Sequence, residues 1–137
     1  MSGVRRLIIH TRRSDNSALA SISVIAGMND LVQLTNSATD DVSGVGAVSP
    51  DGSRIVYTAL SASERVVLTM KIDGTDIRRL TPIGGQDQMP SWSPDGKKIV
   101  FVSERSGAPN LWIMNADGSA PRQLTTGGSF DYYPHWR

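Results

Sequence analysis

One four-residue string, Ser49-Pro50-Asp51-Gly52, returns as Ser93-Pro94-Asp95-Gly96 about 44 residues later, and this repeat constrains the chain more than any other feature. Much else returns at the same offset. Ile55-Val56 is answered by Ile99-Val100, Met70 by Met114, and Asp73-Gly74 by Asp117-Gly118. Arg78, Leu80 and Thr81 are answered by Arg122, Leu124 and Thr125. Asp87, Pro90 and Trp92 are answered by Asp131, Pro134 and Trp136. A fainter copy lies upstream. Leu7-Ile8-Ile9-His10 and Leu19 to Ile25 read as its first two strands, and Leu31 to Thr35 as its last. Ala26-Gly27 stands where Asp-Gly stands later, and Gly46-Ala47-Val48 where Pro-Ser-Trp stands later.

Each repeat reads as short strands joined by turns. Ser-Pro-Asp-Gly is a type I turn signal, with proline presetting φ and glycine accepting a positive φ. Lys98 to Val102 is a β-rich run suited to burial, and Glu104 to Asn110 is a polar loop. Leu111 to Met114 is the next strand, Asp117-Gly118 a hairpin turn, and Arg122 to Thr125 the last strand. No apolar period of helical spacing runs for a useful length. Four short strands in a unit of about 44 residues is the period of a propeller blade. The expectation is an all-β chain of three four-stranded blades forming one unit over 1–137, with repeats at about 4–48, 49–92 and 93–137.

Pro90-Ser91-Trp92-Ser93-Pro94-Asp95-Gly96-Lys97-Lys98-Ile99, then Asn110-Leu111-Trp112-Ile113 and Arg122-Gln123-Leu124-Thr125, resembles the WD-like repeat of the TolB propeller family. The likeness is strong in the second and third repeats and faint in the first. It implies a ring, mostly of six blades in this family. Family members include a periplasmic protein-binding propeller, propellers attached to serine peptidases, and some pectin-fragment lyases. The resemblance therefore specifies fold well and function poorly.

Counted outward from the axis as strands a to d, Pro-Ser-Trp is strand a. The chain opens on a strand b near Leu7, and 131–137 reads as a strand a for a closing blade. Three blades cannot curve far enough to close. The expected assembly is a head-to-tail homodimer, a six-bladed ring in which each C-terminal strand completes the partner's first blade. The alternative is a fragment of a longer TolB-like protein.

Residues leading into strand a approach one mouth of the central channel. They are Asp40 and Asp41, then Gln86, Asp87 and Gln88, then Asp131, Tyr132 and Tyr133, with His135 on the inner strand itself. Together they suggest a polar, acidic funnel for a protein, a peptide or a small polar ligand. Asp87 and Asp131 also read as turn caps. No cofactor is expected. The alternative is a divalent cation in the channel, held by His135 with Asp87 or Asp131, serving a metal-assisted hydrolase or lyase. No Gly-x-Ser-x-Gly elbow, P-loop or His-Glu-x-x-His is present, so the leading expectation is a non-enzymatic scaffold. Glu64 and Glu104, the only glutamates, fall near the b–c loops. Trp92, Trp112 and Trp136 read as packing between blades before ligand platforms.

Charge and cysteine content narrow the partners. Net charge is +1, and Arg5, Arg6, Arg12 and Arg13 read as a solvated strand border, so no nucleic-acid partner is expected. There are no cysteines, which excludes disulfides, thiol catalysis and thiolate metal sites. No apolar stretch approaches the ~20 residues of a membrane helix, and no leader is visible. The expected compartment is the cytoplasm as given, or the periplasm if a leader was removed.

Overall fold

The computed structural model describes residues 6–13, 16–23, 31–35, 41–42, 46–61, 63–127, 134 and 136. They form three antiparallel sheets. The first holds β1 (Arg6–Arg13), β2 (Asn16–Ser23) and β3 (Leu31–Gln33) in that order. The second is built on β6 (Arg54–Ser61), β7 (Glu64–Lys71) and β8 (Arg78–Arg79). Its inner edge is shared by β4 (Asp41–Val42) and β5 (Ala47–Val48), which both pair with β6. The third runs β9 (Gln88–Trp92), β10 (Lys98–Ser103), β11 (Asn110–Asn115) and β12 (Arg122–Gln123). The Pro-Ser-Trp segment is thus the inner strand of the sheet that follows it in sequence. Among the described residues the first sheet has no such strand, and β1 is its edge.

The repeated residues act through repeated bonds. In the first Ser-Pro-Asp-Gly turn the Gly52 amide donates to the Ser49 carbonyl at 2.8 Å, and the Ser49 hydroxyl donates to Asp51 Oδ1 at 2.6 Å. The Arg54 amide closes the turn on Ser49 Oγ at 3.0 Å. Ser93, Asp95, Gly96 and Lys98 repeat the pattern at 2.6–2.9 Å. These bonds favour the ionised carboxylate, so Asp51 is lowered to about 2, first by the Ser49 hydroxyl and then by Ser53. Asp95 is lowered the same way, first by Ser93.

The outer strands β8 and β12 have two residues each, and a threonine extends both. The Val67 amide donates to Thr81 Oγ1 and the Leu111 amide to Thr125 Oγ1, each at 2.9 Å. A hydroxyl there stands in for a ladder carbonyl, while the strand itself stays too short to recruit another edge.

The sheets pack face to face. Leu34 joins Ile55, Tyr57, Ala59 and Met70 on one side of the second sheet. On its other side Val56 and Val67 meet Trp92, Ile99, Phe101 and Met114 of the third. Both faces of β6 are covered, so Ile55 to Ala59 is buried without interruption, where a half-exposed strand would alternate. The Trp92 indole crosses between sheets and donates to the Ala47 carbonyl at 3.0 Å.

The Asp-Gly turns form a second bridge between sheets. Gly74 (φ 85°) and Gly118 (φ 88°) each end a turn in a backbone region that side chains disfavour. Each also lies on the preceding sheet. A Cβ on Gly74 would come 3.0 Å from the Leu34 carbonyl oxygen, and one on Gly118 would come 2.7 Å from that of Leu80. Glycine is required there for φ and for room.

A candidate functional site at the loop end of the third sheet

The connection into β9 and the loop from β10 to β11 meet at one end of the third sheet. The backbone joins them: the Glu104 amide donates to the Gly85 carbonyl at 2.8 Å, and Ser103 Oγ donates to the same oxygen at 3.2 Å. At Met89 (φ 54°) β9 takes an extra residue. Ser91 faces Val100, but Gln88 faces Val102. This bulge lets Pro90, which has no amide hydrogen, lie in the strand, and it re-aims the residues before it.

Asp87 occupies the centre of this junction and is fully buried. Its Oδ2 accepts from the Arg105 guanidinium at 2.6 Å. Among the described residues its Oδ1 has no hydrogen-bond partner, and it lies against Gly85, where a Cβ would come within 2.5 Å of it. Arg105 Nε donates to Ser103 Oγ at 2.8 Å. Its guanidinium also lies 4.8 Å from the Trp112 ring centre and 5.6 Å from that of Phe101. A buried carboxylate needs a counter-charge, and Arg105 supplies it while spreading over two aromatic faces. Chemically this is a brace: it ties the β10–β11 loop to the connection before β9.

The other expected site residues divide into those the structure places and those it does not. Gln86 is half-buried at φ 47°, and its side-chain carbonyl accepts from the Arg65 amide at 3.3 Å. Gln88 is half-buried beside it at the start of β9. Asp41 lies on β4, opposite Leu60. Asp40, Asp131, Tyr132, Tyr133 and His135 lie outside the described residues. Glu64 accepts from the Gly84 amide, and Glu104 is exposed. Arg105, Ser103 and Gly85 were not singled out from the sequence. Arg105 has Ser61 at its repeat position, so the repeat gives no sign of it.

At the opposite end, a cleft of about 190 Å³ lies between the two Ser-Pro-Asp-Gly turns, lined by Ser49, Asp51, Arg54, Trp92 and Asp95 among others. It falls below the roughly 300 Å³ at which ligand pockets begin. Among the described residues no group of three or more His, Cys, Asp or Glu side chains is placed to hold a metal ion. No described helix is long and apolar enough to cross a membrane.

Comparison with known proteins places this geometry. A family model described as the TolB β-propeller domain matches residues 24–137. Among solved structures, a protein assigned as TolB from Agrobacterium tumefaciens superposes with a TM-score of 0.83 at 26% identity, over 96% of this chain and 46% of that one. TolB from Acinetobacter baumannii gives 0.77 at 23% identity, over 91% and 30%. A puromycin hydrolase gives 0.67 at 21%, over 82% and 19%, and shares the fold alone. No curated protein matches. The chain spans less than half the length of the TolB proteins it resembles. Matched over most of its length by the family model, and in three dimensions by two TolB structures, the chain belongs to the TolB β-propeller family.

Proposed function

We propose that the chain is part of a TolB-like ring that works as a non-enzymatic scaffold, binding a protein, a peptide or a small polar ligand at the loop end. The observation that carries this is the use made of Asp87. Asp87, fully buried at that end, is engaged by Arg105 and holds two loops in place, which is the chemistry of a rigid platform. Scaffolds of this kind present recognition groups on loops fixed by the sheets beneath. The proposed contact residues are Asp41, Gln86, Gln88, Asp131, Tyr132, Tyr133 and His135 around the Asp87 brace.

The ring is completed by a second copy of this chain in head-to-tail contact. What supports this is that, among the described residues, β1 forms an edge of the first sheet that another strand could pair with. A second reading places the remaining blades in the same polypeptide, and it is favoured by the 46% and 30% shares of the TolB structures. By family resemblance the compartment is the periplasm, a point that cell fractionation tests.

Pull-down with the tagged chain, repeated with Tyr132→Ala and Tyr133→Ala together, tests the scaffold. A partner retained by the parent and lost by the variant is expected. Raised thermal stability with calcium or manganese, together with turnover of a glycosidic or peptide substrate, would contradict it and favour the metal-assisted hydrolase or lyase.

A further inference from the structure

The chain carries four Asp-Gly pairs: Asp51-Gly52, Asp73-Gly74, Asp95-Gly96 and Asp117-Gly118. Asp-Gly is the dipeptide most open to backbone isomerisation, because glycine has no Cβ to shield its own nitrogen. In that reaction the glycine nitrogen attacks Cγ of the protonated aspartate carboxyl. An N–Cγ bond forms, and the carboxyl hydroxyl leaves as water with the amide hydrogen. Water then opens the five-membered ring at either carbonyl. One opening restores aspartate and the other leaves an isoaspartyl link of equal mass. All four aspartates are exposed, so burial does not protect them.

Each turn engages both reacting groups. The amides of Gly52, Gly74, Gly96 and Gly118 donate to the carbonyls of Ser49, Lys71, Ser93 and Asn115 at 2.8–2.9 Å. The carboxylates are tied past the glycine, where Oδ1 of each aspartate accepts from the amide two residues on, at 2.9–3.0 Å. The same Oδ1 also accepts from a hydroxyl at 2.6 Å: Ser49 at Asp51, Thr75 at Asp73, Ser93 at Asp95 and Ser119 at Asp117. These bonds favour the ionised carboxylate, the form that is not attacked, and all four aspartates are held below the ordinary carboxylate range, first by those hydroxyls. We propose that the four Asp-Gly pairs are latent sites of isoaspartyl modification which the folded turns hold shut, with the hydroxyls of Ser49, Thr75, Ser93 and Ser119 as the guards. Modification at Asp73 or Asp117 would reach furthest. An isoaspartyl link adds a main-chain atom just before Gly74 or Gly118, and those glycines lie against the carbonyls of Leu34 and Leu80 with no room even for a Cβ. The guards at Thr75 and Ser119 therefore preserve the stacking of one sheet on the next.

The test is the isoaspartate content of the full chain after prolonged warm incubation in mildly acidic buffer. It is read pair by pair by peptide mapping with electron-transfer fragmentation, which distinguishes the two linkages. The samples are the folded parent, the parent unfolded in guanidinium chloride, Ser119→Ala and Thr75→Ala. At each pair the folded parent is expected to accumulate isoaspartate roughly 10-fold or more slowly than the unfolded chain. Ser119→Ala should speed modification at Asp117 alone, by roughly 3-fold or more, and Thr75→Ala at Asp73 alone, with the other pairs as internal controls. Both hydroxyls belong to exposed residues, and each variant keeps the amide bond to its aspartate. Equal rates in the folded and unfolded parent would overturn the proposal. A variant that speeds all four pairs together, or leaves its own pair unchanged, would overturn the role of the hydroxyls.

Discussion

Gly118→Ala separates the two reasons for glycine in the Asp-Gly turn. A side chain at φ 88° costs roughly 1–2 kcal/mol by local sterics, offset by about 0.4–1 kcal/mol of unfolded-state entropy no longer lost. The second cost is between sheets. The new Cβ would lie 2.7 Å from the Leu80 oxygen, 3.1 Å from its Cα and 3.3 Å from its carbonyl carbon. All three are backbone atoms, so relief requires the sheets to part, at about 1–3 kcal/mol for an overpacked contact. Together these give a loss of about 1–4.5 kcal/mol. Gly52→Ala is the control, since Gly52 has a similar φ of 73° and, among the described residues, nothing within 4 Å of its Cβ position. It should lose only the local part, about 0–1.5 kcal/mol. Gly74→Ala, with its nearest oxygen at 3.0 Å, should fall between. Urea unfolding at one fixed protein concentration measures all three. Equal losses at Gly118 and Gly52 would refute the inter-sheet contact and leave only turn chemistry.

Further consequences follow from the braces and turns. Arg105→Ala strands the fully buried Asp87 carboxylate and should cost about 3–5 kcal/mol in urea unfolding, while the double variant Asp87→Asn, Arg105→Met should recover part of that loss. Thr81→Val leaves the Val67 amide without its acceptor and should cost about 1–3 kcal/mol with faster amide exchange at Val67; Thr81→Ser should lose less. Asp51 and Asp76 are both lowered to about 2, Asp76 first by Arg78 and then by Arg54, so the folded chain binds fewer protons than the unfolded one just below the ordinary 3.8. Their contribution is therefore complete above about pH 4 and is lost as pH falls towards 2, and an acid titration of Asp51→Asn should show a shallower decline than the parent.

Much of the fold is legible in the sequence because its turns carry strong local chemistry. Ser-Pro-Asp-Gly and Asp-Gly each satisfy their own backbone, so they mark strand ends whatever lies around them. The uninterrupted apolar run in β10 likewise signals burial on both faces. The site is less legible. Arg105 sits in a polar loop where arginine is ordinarily solvated, and its value comes from Asp87 and Trp112, which the chain brings near only after three strands have paired. Gln86 and Gln88 were readable as neighbours of the inner strand, but the bulge at Met89 that aims them is visible in sequence only as Pro90. Gly118 shows a different limit. Turn geometry already accounts for the glycine, which hides the carbonyl of the preceding sheet pressed against it.

Whether two copies complete one ring is tested most directly by the mass of the chain in solution across a dilution series. Light scattering should show a discrete species at twice the 14.8 kDa chain mass, dissociating to protomers on dilution without larger forms. A protomer that persists at every concentration, or a mass that grows without limit, would contradict the ring of two copies.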